Sequence, residues 1–230
     1  MKRIETYKFR LEPKRDAEEK ISRFAGCRRY VWNRLLAERK AAWKALGKEP
    51  SPDARKTFNH EWSYIGMARK LTLWRSELDW LRDCPAQGLQ NVAKDLQIAY
   101  ERWWKGLVSH PKFRKKSEGK ESFRISDPAS FKINDQAIRL PKIGWVRVRI
   151  SKKISGQLRV LTVRREGEYW FASVTIKRDV PEPVPNDKPA IGLDRGVVCA
   201  VVDSDGRHDD LSPMTNGERR HLGKLARSVS

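Results

Sequence analysis

The sequence predicts an α+β fold in which a helical segment is set into an antiparallel β-barrel or curled sheet, with a fresh β-hairpin following. Three observations carry this. Apolar residues recur three or four apart through much of 14–107, and they alternate between about 123 and 177. The proline-rich PEPVPND at 181–187 then separates both from a last pair of apolar runs. The division that follows is a sheet domain from 1–12 and 108–180, a helical domain at 13–107, a linker at 181–188 and a further unit at 189–230.

RIETYKFRL at 3–11 reads as a strand, with Ile4, Thr6 and Lys8 on one side and Glu5, Tyr7 and Phe9 on the other, and Pro13 ends it. From Lys14 to Leu46 the stripe Ile21, Phe24, Ala25, Val31, Trp32, Leu35 and Leu36 has helical spacing, while Arg28, Arg29, Arg34, Arg39 and Lys40 decorate the remaining arc. Gly47 and Pro50-Ser51-Pro52 mark its stop. Weaker helices follow between Asp53 and Asp83. Pro85 opens a better one from Ala86 to about Leu107, striped by Leu89, Val92, Ala93, Leu96, Ala99 and Trp103. Beyond it, WVRVRI at 145–150 alternates as a half-buried strand does, and LRVLTVRREGEYWFASVTIK folds into a hairpin about Glu166-Gly167. The strand at 3–11 can join that sheet. Residues 207–230 read as a loop and a short helix near Glu218–Arg227.

Charge narrows the function classes. Lys and Arg number 49 against 29 Asp and Glu, a formal net charge of +20, so a polyanionic partner is implied. No apolar run approaches the roughly 18 residues of a spanning helix and no signal pattern opens the chain, which favours nucleic acid over membrane and a cytoplasmic setting. Cys27, Cys84 and Cys199 lack the C-x-x-C spacing of a zinc site and are expected to be reduced thiols, with Cys199 in a core. His60, His110, His208 and His221 form no ligand-spaced pair.

Residues 110–124 gather Lys112, Arg114, Lys115, Lys116, Lys120 and Arg124 against Glu118 and Glu121, with Phe113 and Phe123 interleaved. Such cations neutralise phosphates and such rings can stack on bases; a solvated basic loop is the bland alternative. Arg28, Arg29 and Arg34 offer the same charge from the first helix. Gln87, Gln90 and Asn91, on the opening turns of the helix after Pro85, offer amides for base edges. Most of the nine tryptophans, at helical or alternating spacing, are expected in the core.

Asp194 stands at the mouth of an apolar strand in IGLDRGV, with Gly192 and Gly196 clearing backbone room. A carboxylate so placed can hold a divalent ion and present it to a phosphate. The phosphate loop of actin-like kinases reads similarly, and an ordinary Asp-Gly turn fits too.

Four blocks in order resemble the TnpB (OrfB) proteins of insertion sequences, relatives of the type V CRISPR effector nucleases. They are YKFRLEPKRDAEEKISRFAGCRRYVWNRLLAERKAAW at 7–43, HPKFRKKSEGKESFRI at 110–125, LPKIGWVRVRISKKISGQLRVLTVRREGEYWFASVTIK at 140–177, and IGLDRGV at 191–197, which is similar to the family's first RuvC-type motif. The resemblance implies a wedge-like β-barrel domain carrying an inserted helical recognition domain, followed by the first hairpin of an RNase H-like nuclease domain. It also implies a guide RNA and a double-stranded DNA target with a short flanking motif. In such systems base pairing supplies most sequence specificity and the protein holds the heteroduplex backbone. By position, Gln87, Gln90, Asn91 and the Ser122-Phe123-Arg124 segment are the expected contacts to that motif.

One expectation departs from the family. Two-metal cleavage needs several converging carboxylates, and Asp194 is the one placed for it, as catalytic residue and Mg2+ ligand. Asp203, Asp205, Asp209, Asp210 and Glu218 do not occupy the later motif positions; those, with a four-cysteine zinc ribbon, would lie beyond Ser230. Two readings stay open: a catalytically incomplete RNA-guided endonuclease, whose nuclease domain a second chain could complete, and a nuclease-dead RNA- and DNA-binding module or repressor.

Overall fold

The computed structural model describes residues 1–118, 121–182, 190–195, 200–209 and 215–229, and the chain divides into two compact units at Pro181/Glu182. That boundary opens the proline-rich stretch expected as a linker; residues 183–189 of it lie outside the described residues.

The first unit starts with β1 (Lys2–Glu12), whose Phe9 and Leu11 point into the core while Ile4 stays exposed. α1 (Arg15–Ala45) follows as one unbroken helix, roughly 46 Å long at 1.5 Å per residue. All seven apolar residues of the expected stripe are buried on it, and Gly47, at φ +80°, ends it as expected. The weaker helices prove to be α2 (Pro52–Glu61), α3 (Tyr64–Glu77) and the single turn α4 (Asp79–Arg82). Ser51 and Ser63 cap α2 and α3 by accepting from the N–H of Ala54 and Gly66. α5 (Ala86–Trp104) packs on α1 and α3. Its stripe differs from the expected one at the C-terminal end, where Tyr100 is buried and Trp103 is turned outward.

The strands then arrive as β2 (Ser122–Ile125), β3 (Lys132–Ile133), β4 (Ala137–Leu140), β5 (Gly144–Arg149), β6 (Gln157–Glu166) and β7 (Tyr169–Asp179). The β6–β7 hairpin turns at Gly167, φ +58°, where a side chain would be strained. With β1 they form a seven-stranded antiparallel sheet in the order β2-β6-β7-β1-β5-β4-β3. β1 thus lies in the middle, paired along one edge with β7 from Lys2↔Asp179 to Leu11↔Trp170 and along the other with β5 from Arg10↔Arg149 to Glu12↔Arg147.

Chain connectivity makes this sheet curl. β2 and β3 are its two ends, about 29 Å apart across a flat sheet at about 4.8 Å per strand. Yet from Ile125 to Lys132 the chain takes seven steps and reaches at most about 25 Å. Six spacings cannot be flat under that tether. Among the described residues no ladder joins β2 to β3, so the sheet is curled and open rather than a closed barrel. Helices and sheet bury one common hydrophobic cluster, and the Trp170 indole of β7 donates to Glu18 at the start of α1.

Cys27 on α1 and Cys84, between α4 and α5, form a disulfide, which corrects the expectation of separate reduced thiols. The pairing arises because α1 packs against the helices that follow it, a proximity that a sequence separation of 57 conceals. Cys199 lies outside the described residues.

The second unit holds β8 (Leu193–Asp194), β9 (Val201–Asp203) and β10 (His208–Asp209), ordered β10-β9-β8 and antiparallel. The expected hairpin is present as β8–β9, while Gly196 and Asp210 lie outside the described residues. α6 (Asn216–Val229) opens with a reciprocal capping box: Thr215 Oγ1 accepts from the Glu218 N–H, and Glu218 Oε2 accepts from the Thr215 N–H at 2.8 Å. Among the described residues no helix is long and apolar enough to cross a membrane.

Candidate nucleic-acid interface

α1 lays the basic segment 110–118 along itself. Its Asn33 side chain grips the Arg114 backbone at both ends, Nδ2 donating to the carbonyl at 3.0 Å and Oδ1 accepting from the N–H at 2.8 Å. One residue earlier, Trp32 Nε1 donates to the Lys112 carbonyl at 2.9 Å. The basic loop is therefore seated, and Arg114 stacks its guanidinium over Trp32 at 3.8 Å.

Between α1, this segment, β2 and β6 lies a cleft of about 530 Å³ lined by Arg28, Arg29, Arg114, Lys115 and Arg164, with Asp95, Glu118 and Glu121. Arg28 forms part of its floor. Only 8% of that side chain is exposed, and it donates to the Ser122 carbonyl at 2.6 Å and to Asp95 Oδ2 at 3.1 Å. Burial pulls its pKa down to about 10, against the opposing charge of Asp95, while Arg114 and Arg124 push the same way as burial. Arg124 of β2 takes the other oxygen of Asp95 at 2.6 Å. Burial also lowers the Arg114 pKa, again opposed by Asp95. Asp95 thus binds α1, α5 and β2 together beneath a rim of outward-facing cations, of which Lys115 and Arg164 are the exposed members.

Several expected contacts meet here and several do not. Arg28, Arg29, Arg114, Lys115, Ser122 and Arg124 come together in and around the cleft. Arg29 approaches Glu121 at 4.0 Å, and Ser122 contributes its backbone carbonyl. Lys112 and Lys116 are exposed on the segment itself; Lys120 lies outside the described residues. Arg34 is elsewhere, paired with Glu38 at 2.9 Å and stacked over Trp74 of α3. Gln90 lines a separate groove with Arg75 and Arg82, and Gln87 is half-buried.

Asn91 corrects the expectation of a base-reading amide. It is buried, with Nδ2 donating to the Arg124 carbonyl and Oδ1 accepting from Ser126, both at 3.2 Å, so it fixes β2 to α5. Phe123 is likewise a core ring, edge-on to Phe24, and no stacking platform. Sequence reasoning missed Asp95, whose only signal is its place beside Val92 and Ala99 at the edge of the apolar stripe. It also missed Arg164, hidden in a strand whose alternation explains it without function. The expectation that most tryptophans are core fails: Trp43, Trp80, Trp103, Trp104 and Trp145 are exposed.

Asp194, at the end of β8, is exposed, and its backbone pairs with Val202. Asp203 is engaged in its own turn, accepting from the N–H groups of Asp205 and Arg207. Among the described residues no three His, Cys, Asp or Glu side chains stand together as a metal-binding group. Asp194 is not part of such a group among the described residues.

Residues 1–48 match the helix-turn-helix domain of OrfB_IS605 type; here they fold as β1 and the single unbroken α1, with no turn between two helices. All of this chain aligns at 32% identity with 54% of an Escherichia coli (strain K12) protein provisionally named RNA-guided DNA endonuclease InsQ. A Streptomyces pristinaespiralis protein, also provisionally named an RNA-guided DNA endonuclease, aligns at 25% identity over 97% of this chain and 54% of its own length. The chain therefore spans about half the length of these curated relatives. A chain of a Cas12f1–sgRNA–target DNA complex superposes over 98% of this chain and 69% of its own at 11% identity, but the TM-score of 0.32 is too low to argue the fold from it. Over its whole length, then, the chain is similar in sequence to TnpB/OrfB proteins of insertion sequences, the likeness its four ordered blocks also carry.

Proposed function

We propose that this chain binds a guide RNA and a DNA target in RNA-guided DNA recognition, with the cleft beneath Arg114 and Lys115 holding nucleic-acid backbone. The observation that carries this is the cleft itself, where cations from α1, the 110–118 segment and β6 converge although the sequence separates them widely. Phosphates there would meet Lys115 and Arg164 at the rim, while Arg28 and Arg124, tied to Asp95, shape the floor rather than donate outward. Counterion release from such contacts supplies affinity without sequence preference. Sequence would be read by pairing with the guide.

In this reading the curled sheet is the wedge-like domain and α1–α5 the recognition domain inserted between β1 and β2. β8–β9 would be the opening hairpin of a RuvC-type nuclease fold, with Asp194 its first carboxylate. Gln87 and Gln90 are the contacts proposed for the short flanking DNA motif. When bound, Mg2+ would supply charge stabilisation to phosphodiester cleavage; Asp194 would provide one ligand, and the rest must come from outside the described residues. The setting is cytoplasmic, with any completing second chain a partner there.

The test is to purify the chain from cells carrying its locus, sequence the RNA that accompanies it, and add labelled DNA matching that RNA with Mg2+. Specific RNA and retained DNA supports the reading. Cutting that disappears in Asp194→Ala assigns nuclease chemistry to that carboxylate, whereas binding without cutting favours the nuclease-dead module. Recovery of the chain free of RNA, with no affinity for added RNA, would refute it.

A further inference from the structure

A second cavity opens where the C-terminal turns of α1 and α5 meet. It is about 180 Å³ and is walled by Trp43, Phe58, Tyr100, Trp103 and Trp104, with Arg39, Lys40 and His110. A larger recess of about 420 Å³ adjoins it, sharing Arg39, Trp43 and Trp104 and adding Trp62 and Arg55. Three of these rings are open to solvent, Trp43 at 49%, Trp103 at 37% and Trp104 at 57%. Exposed clustered aromatic surface marks a place where something else binds.

The polar groups say what kind of guest fits. Arg39 is buried and lies 3.9 Å from the Tyr100 ring and 5.4 Å from the Trp104 ring. The protein's own cation already sits against these rings, so a cationic guest such as a methylated lysine would be repelled, while a neutral flat heterocycle would not. Trp62, at the back of the adjoining recess, is buried and its Nε1–H has no acceptor. His110 Nδ1 lies 2.8 Å from the Pro111 carbonyl; since a carbonyl can only accept, a proton sits on Nδ1 and the polar contact left to a guest is through Nε2. A planar guest between exposed rings with a ring nitrogen at its edge has the chemistry of a nucleobase. Finally, Lys40 lies 5.1 Å over Phe113, the neighbour of Arg114, so the cavity is joined through these side chains to the segment that walls the cleft.

We propose that this cavity receives an unpaired nucleobase of the bound RNA, stacked against Trp43 or Trp104, with its flanking phosphates on Lys40 and Arg55. The inference rests on the nucleic-acid reading above and adds to it a subsite for a base outside any duplex. RNA is the favoured source because its loops and bulges present splayed bases without the cost of breaking a DNA duplex.

The test measures anisotropy of a fluorescein-labelled single-stranded RNA, a duplex RNA and a single-stranded DNA of the same sequence with the full chain. Trp43→Ala, Trp104→Ala and Trp104→Phe are compared with the unsubstituted protein. At least one of the two alanine variants, the one that removes the stacking ring, is expected to lose about tenfold in affinity for the single strand, in the range set by one base–aromatic stack, with the salt slope and duplex affinity unchanged. Trp104→Phe should restore most of the loss. Unchanged single-strand binding in both alanine variants overturns the proposal, as does an equal loss for duplex. Tighter binding of the DNA strand, weakened in the same way, overturns its assignment to RNA. If the unsubstituted protein binds none of the three, the nucleic-acid reading itself has failed, a result seen before any variant is compared.

Discussion

Arg28 Nη2 lies 3.1 Å from Asp95 Oδ2, with 8% of the arginine side chain exposed, while the second Asp95 oxygen holds Arg124. One carboxylate therefore compensates two arginines at the junction of α1, α5 and β2. Removing it leaves a buried cation unpaired, which costs far more than losing a surface ion pair. Asp95→Ala is expected to destabilise the protein by about 3 kcal/mol or more, measured by urea denaturation. A loss below about 0.5 kcal/mol would mean the pair behaves like a surface bridge.

Gly66 on the first turn of α3 has no room for a side chain. An added Cβ would lie 1.9 Å from the Glu61 carbonyl oxygen, so the α2–α3 turn must open. Gly66→Ala is expected to lower stability by about 1–3 kcal/mol, the usual range for overpacking, seen as a lower melting temperature. An unchanged melt would show that the turn yields freely.

Acid sensitivity follows from the sheet's carboxylates. The Tyr7 hydroxyl and then Arg178 hold Glu5 below the usual carboxylate range, and Lys8 does the same for Glu166. In the unfolded chain these groups bind protons first, so their contribution is present above about pH 4.5 and is lost as pH falls through the lower folded-state values. Glu5→Gln should lower the melting temperature at neutral pH, where the carboxylate's contribution is present, and converge on the unsubstituted protein at low pH, so that its fall below about pH 4.5 is flatter. An acid limb identical to that of the unsubstituted protein would show that Glu5 carries none of the acid sensitivity.

Much of this fold was legible because local chemistry and the fold agree. The α1 stripe from Ile21 to Leu36, its stop at Gly47 and the β6–β7 hairpin at Gly167 each rest on periodicity or turn chemistry read from neighbouring residues. The position of β1 in the middle of the sheet was not legible, since its partners lie in β5 and β7 and no local pattern names them. The same holds for the disulfide from Cys27 to Cys84. At the candidate site the sequence found the cations but not their roles. Arg28 and Lys115 carry equal charge on paper, and burial beside Asp95 makes the first a structural tie and the second a rim contact. Asn91 was misread for the same reason, because an amide that reads a base and one that fixes a strand have the same side chain.

The proposed function rests on contact between exposed rim cations of the cleft and RNA phosphates. It is tested by the affinity of a labelled single-stranded RNA across a range of KCl concentrations, for the unsubstituted chain and for Lys115→Gln and Arg164→Gln. Each substitution is expected to reduce the slope of log K against log[KCl] by about 0.7, the value for one phosphate contact to a single strand, with the melting temperature unchanged. Slopes identical to that of the unsubstituted protein would place the RNA somewhere other than this cleft.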